Sequence, residues 1–249
     1  AAFIVAGISA YKVMKGDKSK GTKNAMHVGV IVGAILIPLQ IFIGDASGLL
    51  VLKHQPDKLA AIEAIWETEQ PAALTLFALP NPETRTNDFS VAIPHLGSLI
   101  LTHSWDGEIK GLNEFDVHPP VAPVFFSFRI MVGIGFLMLF ASWVGVFQLW
   151  RKKEISTWMH KVLFGMTFSG WIAVIAGWYV TEIGRQPWIV YGLLKTSDAV
   201  APHGPTVMIT SLTMYILLYA FLLVSYLSVV FYMTNKDVKN NIEAAKQGA

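Results

Sequence analysis

Two apolar stretches of this 249-residue sequence carry side chains that apolar stretches usually exclude. PVFFSFRIMVGIGF holds Arg129 about two turns in, with Met131 two residues later. WIAVIAGWYVTE closes on Glu182, and the GRQPW that begins after Ile183 brings Arg185. A charge at membrane depth is costly, so such residues mark function by default. Each has a plainer alternative. Arg129 can snorkel to the nearer interface, Met131 can pack as an ordinary core residue, and Glu182 can sit at the interface paired with Arg185. Taken together, two guanidinium groups beside apolar surface, a thioether and a buried carboxylate resemble a haem-binding set. Arginine neutralises propionates, while methionine and glutamate can approach the iron axially.

A third stretch, KLAAIEAIWET, carries Lys58 and Glu63. Leu59, Ile62 and Trp66 fall at i, i+3 and i+7, which predicts a short helix with one apolar face. A solvated amphipathic helix accounts for the charges. So does a carboxylate that accepts a proton beside a cation that steadies a negative oxygen. The seven histidines divide differently. His54, His95, His103, His118 and His203 lie in polar connections, and His27 and His160 lie at the edges of apolar runs. None is midspan, so no histidine of this sequence is predicted to ligate haem iron. Cysteine is absent, which removes disulfides, thiolate zinc sites and iron–sulfur clusters.

The elements that must position these residues follow from composition. Hydrophobic residues make up 53%, charged residues only 14%, and mean hydropathy is +0.50. A soluble domain carries about 25% charged residues, so much of this surface must face lipid. A net charge of +2 offers no polybasic field, which argues against a nucleic-acid partner. Apolar runs cover 1–14, 26–44, 121–150, 161–181 and 206–233, and none alternates with the period of a barrel strand. The expected fold is an all-α integral membrane bundle: a truncated first helix, four full transmembrane helices and a folded polar segment over 45–120. The opening run Ala1–Met14 is shorter than the ~20 residues of a full crossing, and its lysines follow it, so it reads as the second half of a helix.

Lysine and arginine then orient the bundle. Lys15, Lys18, Lys20 and Lys23 cluster in one connection, Arg151, Lys152, Lys153 and Lys161 in another, and Lys236, Lys239 and Lys246 in the 234–249 tail. These three are expected to be cytoplasmic. Segment 45–120 holds eleven Asp or Glu against four Lys or Arg, and is expected outside with the 182–205 connection. Its prolines and length point to a folded cap.

GDASG with KLAAIEAIWET, FRIMVG, and above all GWYVTEIGRQPW resemble subunit I of the cytochrome bd quinol oxidases, in the family's order. GISAYKVMKG is similar to the end of that family's fifth helix. The resemblance implies that the chain begins inside helix five of nine, with the family's histidine ligands and proton-channel carboxylates ahead of Ala1. Haem sites would then be half present, and the fragment would be inactive alone. The modest stretch from SVAIPHLGSL to PPVAPVFFSFRIM resembles the short Q-loop type.

The resemblance implies further roles. Met131 would be an axial ligand of the low-spin haem b558, with Arg129 beside a propionate. Glu182 would ligate the high-spin haem b595, close to haem d. Arg185 would pair with propionates, and Trp178 would lie on the electron route. Lys58 and Glu63 would bind and oxidise quinol. The implied setting is a bacterial cytoplasmic membrane with the Q-loop outside. Quinol, dioxygen, membrane lipid, a homologous second subunit and a small accessory subunit are the implied partners. A haem-free transporter or channel component is the alternative, with Arg129 and Glu182 lining a polar path. Neither an internal repeat nor a set of broken midspan helices supports it.

Overall fold

A computed structural model describes residues 1–17, 19–200 and 204–247; Lys18 and His203 lie outside the described residues. Two compact units result, residues 1–199 and 200–249. The first contains α1 (Ala2–Met14), α2 (Lys20–His54), α3 (Pro56–Glu63), the strands β1 (Leu74–Asn81) and β2 (Thr86–Ile93), α4 (Leu96–Thr102), α5 (Val121–Lys152), α6 (Thr157–Gly165) and α7 (Ser169–Ile183). A small antiparallel pair, β3 (Trp188–Val190) and β4 (Leu194–Lys195), follows. The second unit is one helix, α8 (Pro205–Gln247). Four helical segments are long and apolar enough to cross a membrane: Lys20–His54, Val121–Lys152, Thr157–Ile183 and Pro205–Tyr226. The apolar α1 has 13 residues and falls short of that length.

Packing in the first unit runs from helix to helix. α1 lies against α2 and α6, α2 against α5, and α5 against α7. Lipid offers no hydrophobic drive between helices, so close approach depends on small side chains. Gly29 shows this: a Cβ there would stand 2.7 Å from the Ala2 carbonyl oxygen. Phe3, Ala6, Met26, Val30, Met159 and Leu163 bury together around that contact.

Two features interrupt the regular hydrogen bonding of the spans. Pro38 lies inside α2 and has no N–H to give the Ala34 carbonyl, and the Trp143 indole of α5 donates to that oxygen at 3.3 Å. The expected helix over 161–181 is broken at Met166–Phe168. Hydroxyl groups share backbone acceptors with tightened i→i−3 N–H bonds there, Thr167 Oγ1 donating to the Phe164 carbonyl at 2.5 Å and Ser169 Oγ to the Met166 carbonyl at 2.7 Å.

The segment after α2 is a folded cap. Helix α2 runs ten residues past the boundary expected at 44, ending at His54, so the cap begins with α3. The face expected from Leu59, Ile62 and Trp66 differs from the structure. α3 stops at Glu63 because Ala64 turns left-handed at φ 53°, which takes Trp66 off the helix. Leu59 then packs with Ile65, Leu101 and Ile109, while Ile62 and Trp66 join Val124, Phe125 and Val180. Residues Asp57 to Glu63 are all buried, so α3 is enclosed on every face. The β1–β2 hairpin, absent from the sequence reading, is tied to it by Asn87. That side chain donates to the Ala64 carbonyl at 2.7 Å and accepts from the Trp66 indole at 2.9 Å.

Candidate functional site

The cap rests on the starting turns of α5, and Arg129 fastens it. Its guanidinium donates from Nη2 to Glu63 Oε2 at 2.6 Å, from Nη1 to the Ile62 carbonyl at 2.5 Å, and from Nε to the Thr75 carbonyl at 3.2 Å. Nη2 also reaches the Thr75 carbonyl, and the Phe125 ring lies 4.1 Å from the guanidinium carbon. Glu63 is only 1% exposed. Burial pushes its pKa up, and the neighbouring Arg129 charge pulls in the opposite direction. An arginine has five N–H groups, and one on Nη1 remains for a further acceptor such as a propionate.

Five residues before Glu63, Lys58 faces another partner. Its stem presses on the backbone just past α7: a Cβ at Gly184 would lie 3.0 Å from Lys58 Cε. Glu182 and Arg185 flank that glycine and pair with each other at 2.5 Å. Lys58 is buried, and burial lowers its pKa. Arg185 lowers it further, against the smaller opposing pull of Asp57 and Glu182. The two cap residues grouped from sequence therefore belong to separate clusters, Glu63 with Arg129 and Lys58 with Glu182 and Arg185.

Met131 lies on the seam of α5 and α7. A Cβ at Gly177 would stand 2.8 Å from the Met131 sulfur, so only glycine admits the thioether there. Trp178, the next residue, is exposed, one turn from Glu182 on the same helix. Glu182 and Arg185 also keep 42% and 46% of their side-chain surface. An aromatic ring and a carboxylate thus share an uncovered side of α7, with a guanidinium just past its end. These residues fit haem on donor chemistry: the thioether and the carboxylate can meet iron, and the guanidinium can meet a propionate. Gly177→Ala is expected to push the sulfur aside and destabilise the protein by about 1–3 kcal/mol through overpacking. A lowered thermal midpoint would register this, and an unchanged midpoint would show that the seam does not set the sulfur.

Sequence reasoning missed Asp57 and Tyr191. Asp57, at the start of α3, is 2% exposed and its pKa is raised by burial. Tyr191 is pushed up to about 12, by burial first and then by the Asp57 carboxylate. The proline that opens α3 was the available signal, since an acidic residue just after it favours a helix start.

Residues 1–238 match the family model described as Cytochrome bd terminal oxidase subunit I. The chain belongs to this family. The cytochrome bd ubiquinol oxidase subunit 1 of Bacillus subtilis (strain 168) is 34% identical over 216 residues, covering 81% of this chain and 46% of that protein. The putative cytochrome bd menaquinol oxidase subunit I of the same organism is 32% identical over 213 residues, covering 82% and 47%. The cytochrome bd-II ubiquinol oxidase subunit 1 of Escherichia coli (strain K12) is 29% identical over 293 aligned positions, covering 90% and 57%. Among solved structures, the bd oxidase from Geobacillus thermodenitrificans matches with a TM-score of 0.80 and 31% identity, covering 94% of this chain and 54% of that one. The chain spans about half the length of the curated relatives it matches. Membership of the cytochrome bd subunit I family implies haem and removes the reason for the transporter alternative.

Proposed function

We propose that this chain forms part of subunit I of a bd-type terminal oxidase that oxidises quinol and reduces dioxygen to water in aerobic respiration. One observation carries the reading: KLAAIEAIWET and GWYVTEIGRQPW, far apart in sequence, meet where Lys58 lies on Gly184 between Glu182 and Arg185. The setting proposed is a bacterial cytoplasmic membrane with the cap outside. A homologous second subunit and a small accessory subunit complete the assembly.

Each quinol gives up two electrons and two protons as it becomes quinone, and two quinols supply the four electrons that dioxygen takes. Lys58 steadies the quinol oxygen as negative charge develops on it. Glu63 accepts a proton: Arg129 holds its Oε2, which leaves Oε1 to take it. Haems b558, b595 and d, when bound, would supply the electron-transfer and oxygen-reduction chemistry. Met131 would hold the iron of b558 and Glu182 that of b595. Arg129 and Arg185 are assigned to propionates, and Trp178 to the electron route. Exposure of Trp178 and of the Glu182 side of α7 supports these assignments.

Glu63 works as a base only when deprotonated, and burial raises its pKa. Quinol oxidation should therefore fall as pH drops through that raised value. Glu63→Gln keeps the shape and an oxygen for Arg129, yet should lower turnover by about 10²–10⁴ and flatten the acid limb. Oxygen uptake against pH tests this in the assembled oxidase at unchanged haem content. An acid limb that persists in the variant assigns the proton elsewhere.

A further inference from the structure

The opposite end of the bundle holds a cavity that quinol oxidation does not use. It measures about 380 Å³ and opens between the end of α1, the start of α2 and the turn from α5 into α6. Helix α5, 32 residues and about 48 Å long at ~1.5 Å per residue, runs from the cap to this end.

Charged and ligating side chains of both kinds line the cavity, but they are not equally engaged. Asp17 accepts from the Ser19 N–H at 2.8 Å and from Thr22 Oγ1 at 2.7 Å. Glu154 is held by Lys23 at 3.1 Å. The carboxylates are thus already satisfied. Two of the nitrogen-bearing side chains, His160 and Lys153, are not. His160 is 8% exposed, and its Nε2 has no hydrogen-bond partner among the described residues. A buried polar atom without a partner costs about 1–3 kcal/mol, so a ligand that supplies one is favoured. Lys153 also lines the cavity and makes no ion pair among the described residues.

A backbone feature adds to this. Helix α6 starts at the cavity, where Thr157 is part of the wall. Its preceding Ser156 gives it no side-chain cap; the serine N–H and hydroxyl both donate to Gln148 Oε1, at 2.8 and 2.9 Å. The first-turn N–H groups therefore keep their partial positive charge. A metal ion is a poorer occupant, since no three His, Asp or Glu side chains converge on a metal position among the described residues.

We propose that this cavity binds a phosphate-type anion, with His160 Nε2 donating to it and Lys153 and the start of α6 completing the site. The volume far exceeds the ~30 Å³ share of one water and accommodates a phosphate group. Inorganic phosphate and the phosphodiester of an anionic lipid headgroup present the same chemistry.

Titration calorimetry on the purified, assembled oxidase separates these sources, using inorganic phosphate and dihexanoyl-phosphatidylglycerol as probes. Binding of both supports an anion site open to free phosphate, and binding of the phosphatidylglycerol alone supports a lipid headgroup site. In either case His160→Asn and Lys153→Gln should each weaken binding by about tenfold or more, the loss of one hydrogen bond to a charged group. Quinol oxidation should be unchanged in both variants. Where His160→Asn fails to assemble, Lys153→Gln carries the test. Binding of neither probe, or binding that both variants leave intact, overturns the proposal.

Discussion

Arg129→Ala in the assembled oxidase is expected to produce the largest loss of stability of any single change at the site. It strands Glu63, a carboxylate only 1% exposed, without its counter-charge. Breaking a buried pair in this way costs about 3–5 kcal/mol, because the remaining charge keeps its desolvation penalty. The Ile62 and Thr75 carbonyls lose their donor in the same step. The cap should then loosen from α5. Arg129→Lys restores the charge but not the planar fork that reaches three acceptors, so it should recover only part of the loss. Thermal midpoints of the single variants and of Arg129→Ala with Glu63→Gln give the coupling. The double variant should be more stable than Arg129→Ala alone, since a neutral glutamine no longer needs the cation. Simple additivity would show that the contact does not hold the cap.

Met131→Leu is expected to give the largest change in spectrum at the least cost in packing. Leucine and methionine are close in volume, so the exchange costs less than about 1.5 kcal/mol on packing grounds. It deletes the sulfur that lies against Gly177 and leaves the apolar body. The low-spin b-type band should be lost or strongly shifted while the oxygen-reactive signal persists. Quinol-driven oxygen uptake should fall with it, since the ligand that sets the potential of an electron-transfer haem would be lost. Normal bands with normal uptake would remove Met131 from the iron.

Much of this was legible in the sequence for simple reasons. Long apolar runs announce membrane-length helices, and GWYVTEIGRQPW with FRIMVG carried the family. Helix α2 continues past its expected end because Ala46 to Leu52 still suits a helix, though the charge of Asp45 marked a boundary. The β1–β2 hairpin stayed hidden because its register shifts break the strand period. The union of Glu63 with Arg129 was equally hidden: the two are 66 positions apart, and only the docking of α3 on α5 brings them together. Lys58 and Glu63 look like a pair because they are neighbours in sequence. The enclosed helix α3 sends them to different partners.

The reduced-minus-oxidised visible spectrum of the assembled oxidase containing this chain is the most direct test of the central claim. A membrane bundle that supplies Met131 and Glu182 to haem should yield low-spin and high-spin b-type bands, with a red chlorin band from haem d. A well-folded, colourless protein would contradict the assignment of both residues at once.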